Sequence, residues 1–114
     1  MNEFTFEKKI SSDVVILRAV GYFNEAAGQA LREAVRGCLS EGIHRVVLNL
    51  EKTSVINSPG ITQILEMTEE ILADPKGKFG LVGVSQLYQE VFMVIGITGQ
   101  ATIFADENAA IDQL

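Results

Sequence analysis

Residues 45–72 read RVVLNLEKTSVINSPGITQILEMTEEIL, in which a short apolar run leads through a polar turn into an amphipathic segment. The run at 46–50 is almost wholly apolar, which predicts a strand covered on both faces. Pro59 suits the first helical position, where its missing N–H costs nothing, and the hydroxyl of Ser58 suits the N-cap before it. The stretch therefore predicts a helix that begins at the end of a sheet and displays one hydroxyl.

The predicted position of Ser58 has a chemical consequence. The first amides of a helix lack intrahelical partners, and the helix dipole is positive at that end. A phosphate added to the hydroxyl is therefore expected to meet unpaired amides. A plain N-cap with no regulatory role is the alternative, and the two roles are compatible when the side chain is exposed.

The helix after Ser58 is predicted to have two distinct faces. At 100° per residue, the side chains expected to face the sheet are Ile61, Ile64, Leu65, Thr68 and Leu72. The outer face is expected to show Pro59, Thr62, Gln63, Glu66 and Glu70, with Met67 on its flank.

The charge of this outer face suggests a binding role. No lysine or arginine occurs between Pro59 and Asp74. We hypothesise that the acidic face, centred on an exposed Met67, docks on a basic groove of a partner, with binding that weakens as salt rises. A merely solvated helix face is the alternative.

The remaining segments alternate between strand and helix patterns. Strands are predicted at 4–8, 14–20, 79–84 and 102–104, the first two as a hairpin. Helices are predicted at 25–41 with Asn24 as cap and Gly42 as terminator, after Ser85, and from Asp106. The order β-β-α-β-α-β-α-β-α predicts a single α/β domain over 1–114, with a mixed sheet of four to five strands layered with about four helices.

Composition excludes several classes of function. The net charge of -6 disfavours binding to nucleic acid or to an anionic lipid surface. No apolar run approaches the ~18 residues of a membrane span, and the first residues carry no signal-peptide pattern. We therefore expect a cytoplasmic protein with no membrane insertion.

Single chemistry-bearing residues favour structural roles. Cys38 is the only cysteine and lies in a helical pattern, which favours a buried thiol. His44 has no second ligand at metal-binding spacing, so a turn residue is favoured over a metal site. No catalytic triad, phosphate loop or cofactor motif is present, so we expect no cofactor and no enzymatic activity.

Four pieces of the sequence, in order, resemble the STAS domain, which is shared by anti-sigma factor antagonists and the tails of sulfate transporters. Residues 21–24 with 30–31 resemble its glycine turn and first helix, and 46–50 its central strand. Residues 55–61 (VINSPGI) resemble its Asp-Ser-Ser-Gly-Leu signature, and 97–111 resemble its ending. The likeness covers nearly the full chain and implies the STAS fold.

The resemblance also implies a function. In the phosphorylated branch of the family, a partner kinase modifies the first serine of the signature, which is Ser58 here. The unmodified protein binds an anti-sigma factor of the serine-kinase type, and phosphorylation releases it. The residues expected to contact the partner are Asn24, Asn57, Ser58, Pro59, Gly60, Thr62, Gln63, Glu66, Met67 and Glu70.

This chain departs from the family pattern at three positions. Asn57 and Asn24 stand where aspartates are frequent, and Pro59 replaces the second serine. The loss of two carboxylates lowers the repulsion toward a phosphate and also removes contacts that a kinase could use.

Two further functions stay open from the sequence. One is a STAS scaffold that is never phosphorylated, within a signalling or lipid-transport complex. The other is a module that binds a nucleotide or lipid in a cleft near Gly21 and Ser58. The oligomeric state is also open, with a homodimer among the alternatives.

Overall fold

Five strands and four helices follow one another in the order that the sequence predicts. The computed structural model describes residues 3–114. The strands are β1 (Thr5–Ser11), β2 (Val14–Val20), β3 (Arg45–Lys52), β4 (Lys78–Val82) and β5 (Thr102–Phe104). The helices are α1 (Glu25–Ser40), α2 (Ser58–Leu72), α3 (Gln86–Val94) and α4 (Glu107–Gln113). The predicted α/β class and helix count are confirmed.

The strands form one mixed sheet in the order β1-β2-β3-β4-β5. β1 and β2 form the predicted antiparallel hairpin, and every later pairing is parallel. Val46 in the central strand β3 pairs with Val15 of β2 and Phe79 of β4. The apolar run at 46–50 is therefore buried within the sheet, as parallel strands covered on both faces require.

The helices cover both faces of the sheet. The larger core contains Leu31 of α1, Met67 of α2 and Phe92 of α3, so these three helices share one face. The smaller core joins β2, β3 and β4 to Ala110 of α4 on the opposite face. Cys38 is buried in the larger core as predicted, and Gly42 ends α1 with a positive φ of 89°.

The buried face of α2 differs from the prediction. Met67 and Ile71 are fully buried, and Gln63 is only 6% exposed, although Gln63 and Met67 were predicted on or beside the outer face. α1 packs so closely on this side that a Cβ added at Gly28 would lie 2.2 Å from Cβ of Gln63. α2 therefore buries one side against the sheet and an adjoining side against α1.

Membrane-spanning helices and clusters of metal-binding side chains are both absent from the described residues. Across residues 3–114, none of the helices has both the length and the apolar character needed to cross a bilayer. Within the same part of the chain, His, Cys, Asp and Glu side chains form no group of three or more arranged to hold a metal ion.

Candidate functional site

The loops that follow β2 and β3 meet beside the start of α2. The amide of Phe23 donates to the carbonyl of Val55 at 2.9 Å, and the amide of Asn57 donates to the carbonyl of Phe23 at 3.0 Å. These bonds form a parallel bridge between Phe23 and Ile56. The start of α1 and the start of α2 are thereby held side by side, with Ser58 at the junction.

The N-cap of α2 is Asn57, and the prediction that Ser58 is the cap is wrong. Oδ1 of Asn57 accepts a hydrogen bond from the amide of Gly60 at 2.9 Å, and its extended backbone is that of a cap. Ser58 is then the first helical residue and Pro59 the second. Two adjacent residues could each serve as a cap, and a cap at Asn57 satisfies the Gly60 amide with a side-chain carbonyl.

Ser58 has an exposed side chain whose hydroxyl has no capping task. The first amides of α2 are largely satisfied: Asn57 donates to Phe23, Gly60 donates to Asn57, and Pro59 has no N–H. Among the described residues, the amide of Ser58 itself is left without a protein acceptor. The expectation that a phosphate would meet several unpaired amides is therefore wrong for this chain.

Asn24 and Asn57, which stand where the resemblance implies aspartates, both act as helix caps. Oδ1 of Asn24 accepts from the amide of Ala27 at 2.9 Å and so begins α1. Nδ2 of Asn57 donates to Oη of Tyr22 at 2.8 Å, in addition to the cap at its oxygen. A carboxylate could make the cap at either position, but only an amide can donate to Tyr22 in this way.

Tyr88 of α3 holds the loop that precedes Ser58. Its hydroxyl accepts from the amide of Ile56 at 2.9 Å and donates to the carbonyl of Ile56 at 3.2 Å. The backbone on one side of Ile56 is bound by Tyr88 and on the other by Phe23. The segment that carries Ser58 is consequently anchored to both α1 and α3.

Gly60 allows the close contact between this segment and the Phe23 loop. A Cβ at Gly60 would lie 2.5 Å from the carbonyl oxygen of Phe23, far inside van der Waals contact. The glycine of the signature is therefore required by packing rather than by an unusual φ.

The acidic face of α2 is paired within the chain. Arg32 of α1 forms ion pairs with Glu66 at 2.6 Å and Glu70 at 3.1 Å, and Arg36 also pairs with Glu70. Nη1 of Arg32 donates to Oε1 of the buried Gln63 at 3.0 Å. Partial burial opposes ionisation of Glu70, but hydrogen bonds from Arg36 and Arg32 lower its pKa overall.

These pairs overturn the picture of an acidic docking face centred on an exposed methionine. Met67 lies in the core, and α1 supplies the basic groups that were assigned to a partner. The Arg32 and Arg36 pair matches the Glu66 and Glu70 pair, because both have a spacing of four residues. That spacing was visible in the sequence, but the packing of α1 against α2 was not.

The predicted site residues fall into three groups by burial. The exposed ones surround the start and outer side of α2 and are Ser58, Pro59, Thr62 and Glu66. The half-buried ones make the contacts described above and are Asn24, Asn57 and Glu70. The buried ones are Gly60, Gln63 and Met67. Sequence reasoning gave no site role to Tyr22 and Tyr88, because their contacts are with distant backbone and side-chain groups.

A polar cavity of about 940 Å³ lies at the carboxyl ends of the strands near the start of α4. Neither Gly21 nor Ser58, near which a ligand cleft is predicted, lines it, although Val20 does. Its wall contains a cluster in which Glu107 accepts from Nε and Nη2 of Arg18 at 2.9 and 2.8 Å and from Nδ2 of Asn49 at 2.7 Å. The hydrogen bonds from Arg18 are the main reason that the pKa of Glu107 falls to about 2. This cluster ties α4 to the sheet.

Comparisons with known proteins agree with this fold. The family model of the STAS domain matches residues 5–110. The unphosphorylated anti-sigma factor antagonist SpoIIAA has the same fold, with 23% identity over 96% of each chain and a TM-score of 0.77. The phosphorylated form of SpoIIAA from Bacillus matches with 23% identity over 96% of this chain and 98% of that chain, at a TM-score of 0.76.

A third solved structure is similar over most of its length. A putative anti-sigma factor antagonist from Thermotoga maritima is 23% identical, covers 95% of this chain and 92% of its own, and superposes with a TM-score of 0.82. At such identities these likenesses establish the fold. Since the family match extends from β1 into α4 and the architecture agrees with it throughout, this chain belongs to the STAS domain family.

Proposed function

We propose that this chain is a cytoplasmic anti-sigma factor antagonist that binds a serine-kinase anti-sigma factor while Ser58 is unmodified and is released when Ser58 is phosphorylated. The observation that carries the proposal is the placement of Ser58. Its side chain is exposed, it begins α2, and Asn57 performs the capping that would otherwise occupy its hydroxyl.

The surroundings of Ser58 suit a binding surface that charge can switch off. Residues 53–65 contain no charged side chain. A neutral surface costs little free energy to desolvate when a partner covers it. A phosphate brings a charge of about -1.5 to -2, and burying that charge without paired cations carries a large penalty.

The hydrogen bonds around Ser58 favour direct disruption of the partner interface over refolding of the loop. With Asn57 and Gly60 already satisfied, a phosphate on Ser58 gains few new bonds to α2. The bonds of Phe23 and Tyr88 to the loop backbone are not displaced by a group attached to an exposed oxygen. The phosphate therefore stays at the surface and acts on the partner, without rearranging the loop.

The proposal is tested with the purified chain and a serine-kinase anti-sigma factor from the same organism. Incubation with ATP and the kinase should add one phosphate, located at Ser58 by intact-mass and peptide analysis. Ser40→Asp is the charge control, because Ser40 is exposed at the far end of α1. A stable complex that is never phosphorylated would favour the scaffold alternative and contradict the switch.

A further inference from the structure

Exposed apolar side chains are concentrated on α3. Val94 is 82% exposed and Leu87 is 62% exposed, although both are large aliphatic residues on a helix. Within residues 3–114, the large apolar side chains that are exposed are Ile10, Val20, Val55, Leu87, Met93, Val94 and Ile95. Most of them lie on α3 and its C-cap, and a cluster of this kind on one short helix usually marks an interaction site.

The apolar residues form one stripe beside the buried face of α3. At 100° per residue, Leu87, Val91, Val94 and Ile95 fall within an arc of roughly 100°, and the exposed Met93 lies outside it. We call these four residues the α3 flank. Phe92 alone is fully buried on this helix, and Val91 packs partly buried against the same core, whereas Leu87, Val94 and Ile95 are exposed.

The α3 flank adjoins residues 53–58, which we call the Ser58 loop. Tyr88, which is next to Leu87 in the chain, binds both backbone groups of Ile56 through its hydroxyl. Val55, on the same loop, is 44% exposed. The start of α3 and the segment leading to Ser58 are thus held in direct contact, and one partner surface can cover both.

The charges around the flank restrict the class of partner. Glu90 is the one charged residue in the sequence from 79 to 105, which contains α3, and the whole chain carries a net charge of -6. Glu90 is exposed on α3 itself and forms no ion pair among the described residues. An anionic membrane or a nucleic acid would be repelled, and a second copy would bring like charges together. A protein groove that is apolar inside and basic at its rim is complementary.

We propose that the α3 flank is the second half of the docking surface for the kinase-type anti-sigma factor, and that the kinase meets it with an apolar groove rimmed by basic residues. This inference rests on the proposed function. The two halves have different tasks: the α3 flank provides affinity through apolar burial, and the neutral Ser58 loop provides the contact that phosphate breaks. The α3 flank is itself unaffected by phosphorylation.

The test compares three variants in binding to the purified kinase, measured by calorimetry. The double variant Leu87→Ser with Val94→Ser should weaken binding about tenfold or more, because two aliphatic side chains lose their buried contact. Ile10→Ser removes an exposed aliphatic residue from β1 and should bind like the wild type. Glu90→Gln should weaken binding at low salt and lose this effect at high salt.

The outcomes separate this inference from the proposed function. If the double variant binds like the wild type while Ser58→Asp still releases the kinase, the α3 flank is not part of the surface and the switch stands. If Ser58→Asp and Ser58→Ala bind equally, the switch fails whatever the double variant does. If the double variant instead dissociates a dimer of this chain and leaves kinase binding unchanged, the α3 flank is a self-association surface and the inference is overturned.

Discussion

Oδ1 of Asn57 lies 2.9 Å from the amide nitrogen of Gly60, so the residue before Ser58 performs the capping of α2. This contact separates two tasks that the sequence pattern assigns to one residue. Asn57 stabilises the helix, and Ser58 is left free to be modified. The first prediction follows from that separation.

Replacing the cap should cost stability, whereas replacing the serine should not. Asn57→Ala removes the bond to Gly60 and the bond to Tyr22, and should lower the free energy of unfolding by about 1–2 kcal/mol. Ser58→Ala should change it by less than about 0.5 kcal/mol, as for an exposed side chain without a structural contact. Urea unfolding of both variants measures the difference. Equal losses in the two variants would contradict the assignment of the cap.

Gly60 should not tolerate even one added carbon. In Gly60→Ala the new Cβ meets the carbonyl of Phe23, and the shift needed should cost about 1–3 kcal/mol. Gly37→Ala is the matched control, because it lies within α1 with no heavy atom within 4 Å of the added Cβ. That control should stabilise by about 0.5–1 kcal/mol through helix propensity. Thermal unfolding that ranks the two variants in the opposite order would refute the packing argument.

Arg32 should matter more for stability than Arg36, although both pair with Glu70. Arg32→Ala removes the donor to Oε1 of Gln63, a buried residue, and an unsatisfied buried polar group costs about 1–3 kcal/mol. Arg36→Ala breaks only an exposed pair and should cost less than about 1 kcal/mol. Chemical denaturation at low and high salt compares them. A larger loss from Arg36→Ala would show that surface charge, rather than Gln63, joins the two helices.

The cluster around Glu107 should make the docking of α4 sensitive to acid. Hydrogen bonds from Arg18 are the main cause that lowers the pKa of Glu107 from 4.5 to about 2. The stabilising effect of the Glu107 carboxylate is therefore complete above pH 4.5 and is lost as the pH falls toward 2. Glu107→Gln should lower the free energy of unfolding by about 1–3 kcal/mol at neutral pH. The stabilities of the variant and the wild type should converge as the pH falls from 4.5 toward 2.

The control for this pH series is Asp112→Asn, an exposed acidic residue on the same helix. Its difference from the wild type should stay small from pH 7 to pH 3, because it makes no ion pair among the described residues. Unfolding measured by fluorescence of an attached probe or by circular dichroism gives both curves. A Glu107→Gln difference that does not change with pH would contradict the ionic origin of its effect.

The sequence predicts the fold well because its signals are local and repeated. The apolar run at 46–50, the cap at Asn24 and the glycine at 42 each specify one element, and the order of elements then restricts the sheet. These signals depend on neighbours within a few residues, so they can be recognised without knowledge of the tertiary structure.

The candidate site is less predictable because its features depend on which helices meet. Met67 and Gln63 were placed on or beside the outer face of α2 from periodicity alone, yet α1 covers that side. Arg32 and Tyr88 act on residues more than thirty positions away, at Gln63 and Ile56. The cap of α2 is a further case, because Asn57 and Ser58 are adjacent polar residues and the sequence alone does not show which of them caps the helix.

The central claim is that charge on Ser58 switches partner binding off, and the affinity of serine variants for the kinase tests it most directly. Ser58→Ala should bind the kinase with wild-type affinity. Ser58→Asp should weaken binding by at least about a hundredfold, corresponding to the cost of burying an unpaired charge, with Ser40→Asp unchanged. Equal affinities of Ser58→Ala and Ser58→Asp, measured by calorimetry with purified kinase, would contradict the account.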